Sequence, residues 1–128
     1  MTQREIKKLQ ATLPQWENGK PPVLTREQEI LSTELNIRDS MISCLCYGYD
    51  YFQTTKASWY VNNLGSRGYD WDQLKALGVK HAYQRVQQIW AEMKRDFKKH
   101  ATVERNVHTD CEGLSYNAIH WDDETKGK

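Results

Sequence analysis

The side chains best suited to chemistry gather towards the C-terminal end, where His108, Asp110, Cys111, His120, Asp122 and Asp123 are all of types that bind divalent metals. Two stretches rich in strand-forming residues flank the turn sequence Asp110-Cys111-Glu112-Gly113, and together they predict a β-hairpin over 102–121. If Asp110 and Gly113 end the turn, His108 and His120 point to opposite faces. A slip of one residue puts both on one face but about 13 Å apart, at 3.3 Å per residue. Neither register chelates one zinc through both, and His108 with Cys111 supplies only half of a four-coordinate site. No metal site and no cofactor is assigned.

Nucleophilic chemistry would need a base beside Ser or Cys, and Cys111 near His108 is the best such pair. Spacing gives it neither an oxyanion hole nor an orienting carboxylate. Asp122-Asp123 reads as part of a solvated tail. No catalytic residue is assigned, and a non-enzyme is the expectation.

Two constellations suit binding instead. Lys94, Arg95, Lys98 and Lys99, followed by His100, close a helical segment and form a local basic patch, with Arg85 and Lys80 further back. Cations at a helix C-terminus complement its dipole, which is a sufficient structural explanation; a phosphate-contacting surface is the functional one. The second constellation is Trp59, Arg67, Tyr69 and Trp71 around Gly65-Ser66-Arg67-Gly68. Aromatics near an exposed Arg are common anchors of protein interfaces, and the competing reading places these aromatics in the core. The two glycines match neither the P-loop nor the dinucleotide fingerprint, so a helix-to-helix turn is preferred there.

The whole chain limits these choices. Its 128 residues suffice for one domain, 1–128, and are too few for two ordinary ones. A net charge of +1 lacks the strong field of a general nucleic-acid binder or of an acidic mimic. The mean hydropathy of −0.86 is low. An aromatic content of 11% with small net charge nevertheless argues for a folded chain, with a core built partly from Trp and Tyr. No apolar run could cross a bilayer or act as a secretory signal, so the expectation is cytoplasmic with no membrane partner. Cys44 and Cys46 stand about 200° apart on a helix and are expected to be reduced, buried thiols.

The elements that must position these groups follow from spacing. Thr2 with Glu5 has the capping-box separation, and Ile6, Leu9 and Leu13 then predict a short helix that Pro14 stops. Residues 14–24 read as an extended connector with a turn at Asn18-Gly19, and Trp16 is expected to lie as a lid on the core. Thr25 with Gln28 repeats the capping box before a broad apolar stripe from Ile30 to Phe52. The preferred reading is two helices broken near Asn36, with Asp39 capping the second. Thr54 or Thr55 caps a further helix ending at Gly65, and Asp70 a short one through Leu74 and Leu77 to Gly78.

The clearest signal is a long amphipathic helix over 79–99. Val79, Ala82, Tyr83, Val86, Ile89, Trp90, Met93 and Phe97 fall in an arc of about 120°, opposite Lys80, Gln84, Gln88, Arg95 and Lys99. In the hairpin, Val103, Val107, Tyr116 and Ala118 are expected to share the packing face. Residues 123–128 form a flexible tail.

Leu74-Lys75-Ala76-Leu77-Gly78-Val79 followed by a helix resembles the turn region of a helix-turn-helix, within a segment spanning 71–99. That resemblance implies nucleic-acid binding with the second helix as groove reader. The departure is at Gln84 and Gln87, where the pattern has apolar residues.

The expected architecture is α+β, mostly helical, with four to five helices around the long helix and a C-terminal hairpin. The expected function is a small binding protein acting on another macromolecule, a protein first and nucleic acid as the alternative. Phage and other mobile elements encode many such proteins as regulators or inhibitors of host machinery.

Overall fold

The computed structural model describes residues 1–48, 71–108 and 115–122. They form α1 (Gln3–Gln10), α2 (Arg26–Cys46), α3 (Trp71–Ala76), α4 (Ala82–His100), β1 (Ala101–His108) and β2 (Ser115–Trp121). The class is α+β and mostly helical, with a two-stranded antiparallel hairpin at the C-terminal end. The helix expected after Thr54, the Gly65–Gly68 loop, the Asp70 cap and the tail over 123–128 fall outside the described residues.

Both capping boxes form. Thr2 Oγ1 accepts from the Glu5 N–H at 3.4 Å while Glu5 Oε1 accepts from the Thr2 N–H at 3.1 Å. Thr25 and Gln28 make the same reciprocal pair at 3.2 and 2.9 Å. Each box satisfies two N–H groups that a helix start otherwise leaves unpaired.

From Arg26 the chain runs as one helix to Cys46, so the expected break near Asn36 is absent. Asp39 lies inside the helix and caps nothing, and Ser40 Oγ bonds back to the Asn36 carbonyl at 3.1 Å. Packing decides the matter: α2 touches α1, α3, α4 and β2, and Leu35, Ile37, Met41, Ile42, Cys44 and Cys46 are all buried. A helix with neighbours on several sides needs a broad apolar stripe. Local capping signals within it are overridden.

Gly78 separates α3 from the long helix, as the phase of Leu74 requires. Its φ of +80° and the bond from the Val79 N–H to the Leu74 carbonyl at 3.0 Å form a left-handed helix stop. Arg26 reinforces the stop by donating to the Leu77 and Gly78 carbonyls at 3.0 and 3.3 Å. A Cβ at Gly78 would sit 3.1 Å from the Arg26 guanidinium and strain the backbone as well. Gly78→Ala is expected to cost about 1–2 kcal/mol, measured as a lower urea midpoint.

The long helix starts at Ala82, three residues later than its stripe suggests, with His81 at φ +55° before it. Ala82, Val86, Ile89, Trp90 and Met93 are buried and Phe97 is half-buried against them. Tyr83, at the edge of the stripe, is 53% exposed.

The hairpin pairs Val107 with Tyr116, as the turn sequence implies, but the register shifts between Glu104 and Val107. Beyond this bulge Val103 faces Ile119 and Ala101 faces Trp121. The expected common face of Val103, Val107, Tyr116 and Ala118 is therefore wrong: Ala101, Ile119 and Trp121 are the residues packed on the helices. Asn106, at φ +59°, occupies the bulge and donates its N–H to Asn117 Oδ1 at 3.4 Å. Asn117 Nδ2 also donates to the Cys46 carbonyl at 3.0 Å, tying the bulge to the end of α2.

Candidate nucleic-acid interface

The candidate face is the solvent side of α4. At 100° per residue, Gln84, Gln87, Gln88, Ala91, Lys94, Arg95, Lys98 and Lys99 occupy an arc of about 140° centred opposite the buried stripe. All are exposed except Gln87, which is half-buried. No acidic residue lies in that arc.

The two acids of α4, Glu92 and Asp96, stand on its flank and are engaged elsewhere. Glu92 pairs with the buried Arg38 guanidinium from α2, and the Met1 α-amino group lies 3.6 Å from it. Asp96 takes the Met1 α-amino group directly, with Arg95 Nε at 3.3 Å on its other oxygen. Arg85, on the same flank, is held by Glu34 through bonds of 3.0 and 2.7 Å.

On the exposed arc, Lys94 lies over the Trp90 ring at 5.6 Å. Arg95 keeps 72% of its side chain exposed. Lys98 and Lys99 are exposed, with no hydrogen bond or ion pair to any described residue. Buried or flanking charges are thus paired mostly with one another; of the outward cations Arg95 also touches Asp96, while Lys98 and Lys99 keep their field for solvent or a ligand.

The Glu92 carboxyl feels desolvation most, which raises its pKa, but the Arg38 hydrogen bond and charge with the Met1 amine outweigh it and the net shift is downward. A depressed folded-state value means that Glu92 stabilises the fold above its ordinary value of 4.5 and ceases to do so as pH falls through the lower, folded value. The thermal midpoint is expected to fall on acidification below pH 4.5, and to fall less in Glu92→Gln.

At the C-terminal end of α4 a cleft of about 320 Å³ runs between Lys98, Lys99, His100, Thr102, His120 and Asp122. His100 Nδ1 approaches Asp122 at 3.5 Å and His120 Nε2 lies 3.1 Å from Glu104. The cleft joins the basic end of the helix to the hairpin, which lines it with Thr102, His120 and Asp122. Among the described residues no group of three or more His, Cys, Asp or Glu side chains could hold a metal. Cys111 and the His108 side chain lie outside the described residues.

Of the residues expected to bind protein, Trp59, Arg67 and Tyr69 lie outside the described residues. Trp71 is half-buried, edge-on to Tyr83 at 6.1 Å and beneath Lys75 at 5.4 Å. The structure also corrects the expected placement of Trp16. Trp16 is 68% exposed and does not cover the core. Asn18 and Gly19, both at positive φ, close a tight turn in which Glu17 and Lys20 exchange backbone bonds of 3.2 and 2.9 Å. Val23, beyond that turn, is 94% exposed.

Comparison of the chain with family models, with curated proteins and with solved structures finds no match. The order helix, turn at Gly78, long helix agrees with the helix-turn-helix resemblance at the level of element order alone. Among the described residues no helix is long and apolar enough to cross a membrane.

Proposed function

We propose that this is a non-enzymatic nucleic-acid-binding protein that presents the solvent face of α4 to phosphates. The observation that carries the reading is the acid-free arc from Gln84 to Lys99. Helix-dipole compensation accounts for cations in the last turn, where Lys98, Lys99 and His100 stand. It does not account for Lys94 and Arg95 further back, nor for confining both acids of the helix to an inward flank. A near-neutral chain that binds phosphates does so through a locally basic face such as this one, and its affinity must depend on salt. A labelled duplex of about 25 base pairs is expected to bind at 50 mM salt and to be released as salt rises. No retention at low salt would remove the reading.

A second reading has its own support. Trp16 and Val23 are exposed apolar residues on either side of a turn closed by two backbone bonds, and an exposed Trp is a usual interface anchor. Trp16 would then anchor a protein partner; a regulator or inhibitor of a nucleic-acid enzyme would use this residue and the α4 face. Trp16→Ala would then weaken a captured complex without lowering the thermal midpoint. A lowered midpoint would make Trp16 structural. The free, buried thiols of Cys44 and Cys46 support a reducing, cytoplasmic setting.

A further inference from the structure

We infer that this surface takes a single strand of nucleic acid, with an unpaired base stacked on Tyr83 and the neighbouring phosphates on the cations of α4; this rests on the nucleic-acid reading above. Tyr83 is 53% exposed, and at 100° per residue it stands only about 20° beyond Lys94, the edge of the basic arc. Trp71 from α3 meets its ring edge-on, with centroids 6.1 Å apart and planes at 84°. Whichever of the two presents its edge, such a contact covers at most one face of Tyr83 and leaves the other open. The same contact limits how far the Tyr83 ring can turn.

Cations lie on both sides of this platform. Lys75 stands 5.4 Å from the centre of the Trp71 ring. Lys94 follows Tyr83 at roughly 16 Å along the axis of α4, with Lys98 one turn further on, and both are exposed. Every base has a π face to stack, and proteins that combine such a platform with a cationic track hold about 4–16 nucleotides, so a strand reaching from Tyr83 to Lys98 is an ordinary one. A duplex cannot use the ring: its bases stack on one another and turn only their edges to the grooves, so it would meet the cations alone. The flanking cations, more than the ring itself, favour an anionic strand over an apolar protein surface as the occupant.

Anisotropy titrations at about 50 mM salt with oligo(dT), oligo(U) and a DNA duplex, each about 12 nucleotides or base pairs long, test this. The unpaired base face is common to DNA and RNA, and the two single strands show which sugar the protein prefers. The tighter of them is expected to bind at least about fivefold more strongly than the duplex. Tyr83→Leu keeps an apolar side chain against Trp71 without a ring. It is expected to lose at least about fivefold in single-strand affinity while duplex affinity and salt dependence stay as in the wild type, and Tyr83→Phe should bind like the wild type. A duplex bound as tightly as either strand, or a Tyr83→Leu protein whose affinities are unchanged or fall alike for strand and duplex, would overturn the stacking inference and leave the nucleic-acid reading standing. Failure of all three ligands to bind would remove both.

Discussion

Replacing Arg95, Lys98 and Lys99 together by Glu is expected to weaken duplex binding by roughly 100-fold or more, because three phosphate contacts become three repulsions. The side chains sit on the exposed arc and support no described packing, and neither lysine has a partner among the described residues. Acids at a helix C-terminus oppose the dipole at about 0.3–1 kcal/mol each, so the reversed protein will be somewhat less stable. The matching Gln variant separates the effects: it should keep the wild-type thermal midpoint within a degree or two and still lose most of the affinity. Unchanged binding in both variants would mean that the basic run only compensates the helix dipole.

The second large effect is expected at Trp121, where truncation to Ala should cost about 3–5 kcal/mol and release the hairpin from the helices. Trp121 is 3% exposed and meets the Phe97 ring edge-on at 5.6 Å. Its indole N–H donates to Gln3 Oε1 at 3.2 Å. One side chain therefore joins β2, α4 and α1. Trp121→Phe keeps a ring against Phe97 but loses the hydrogen bond and part of the buried volume, so it should recover part of the stability, leaving a deficit of about 1–3 kcal/mol. Urea midpoints of the three proteins measure this. A Trp121→Ala protein as stable as the wild type would show that the hairpin does not depend on this contact.

That residue also marks where sequence reasoning stops. The caps at Thr2 and Thr25, the stop at Gly78 and the stripe from Ala82 to Met93 depend on neighbours within one or two turns, and such neighbours are visible in the chain itself. The face of the hairpin depends on the bulge at Asn106, which Asn117 fixes by bonding at once to that N–H and to the Cys46 carbonyl. A contact spanning that much sequence leaves no local pattern. One inserted residue then moves every side chain beyond it to the other face. Asp39 illustrates the converse: a good capping residue is only a cap when the packing around it lets a helix begin there.

The candidate interface divides in the same way. The cations were legible as a run, and their outward direction followed from the helical period. The engagement of both acids on the inward flank was not, because it depends on Arg38 reaching Glu92 from α2 and on the Met1 amine reaching Asp96. Trp16 was misassigned because a lone Trp beside a turn is equally compatible with cover and with display. Only the backbone of the turn distinguishes them.

The most direct measurement is the salt dependence of duplex binding by the unaltered protein. Four phosphate contacts, from Lys94, Arg95, Lys98 and Lys99, predict a slope of about −3.6 in log K against log salt concentration. A slope near zero, or no binding at 50 mM salt, would contradict the role assigned to the α4 face.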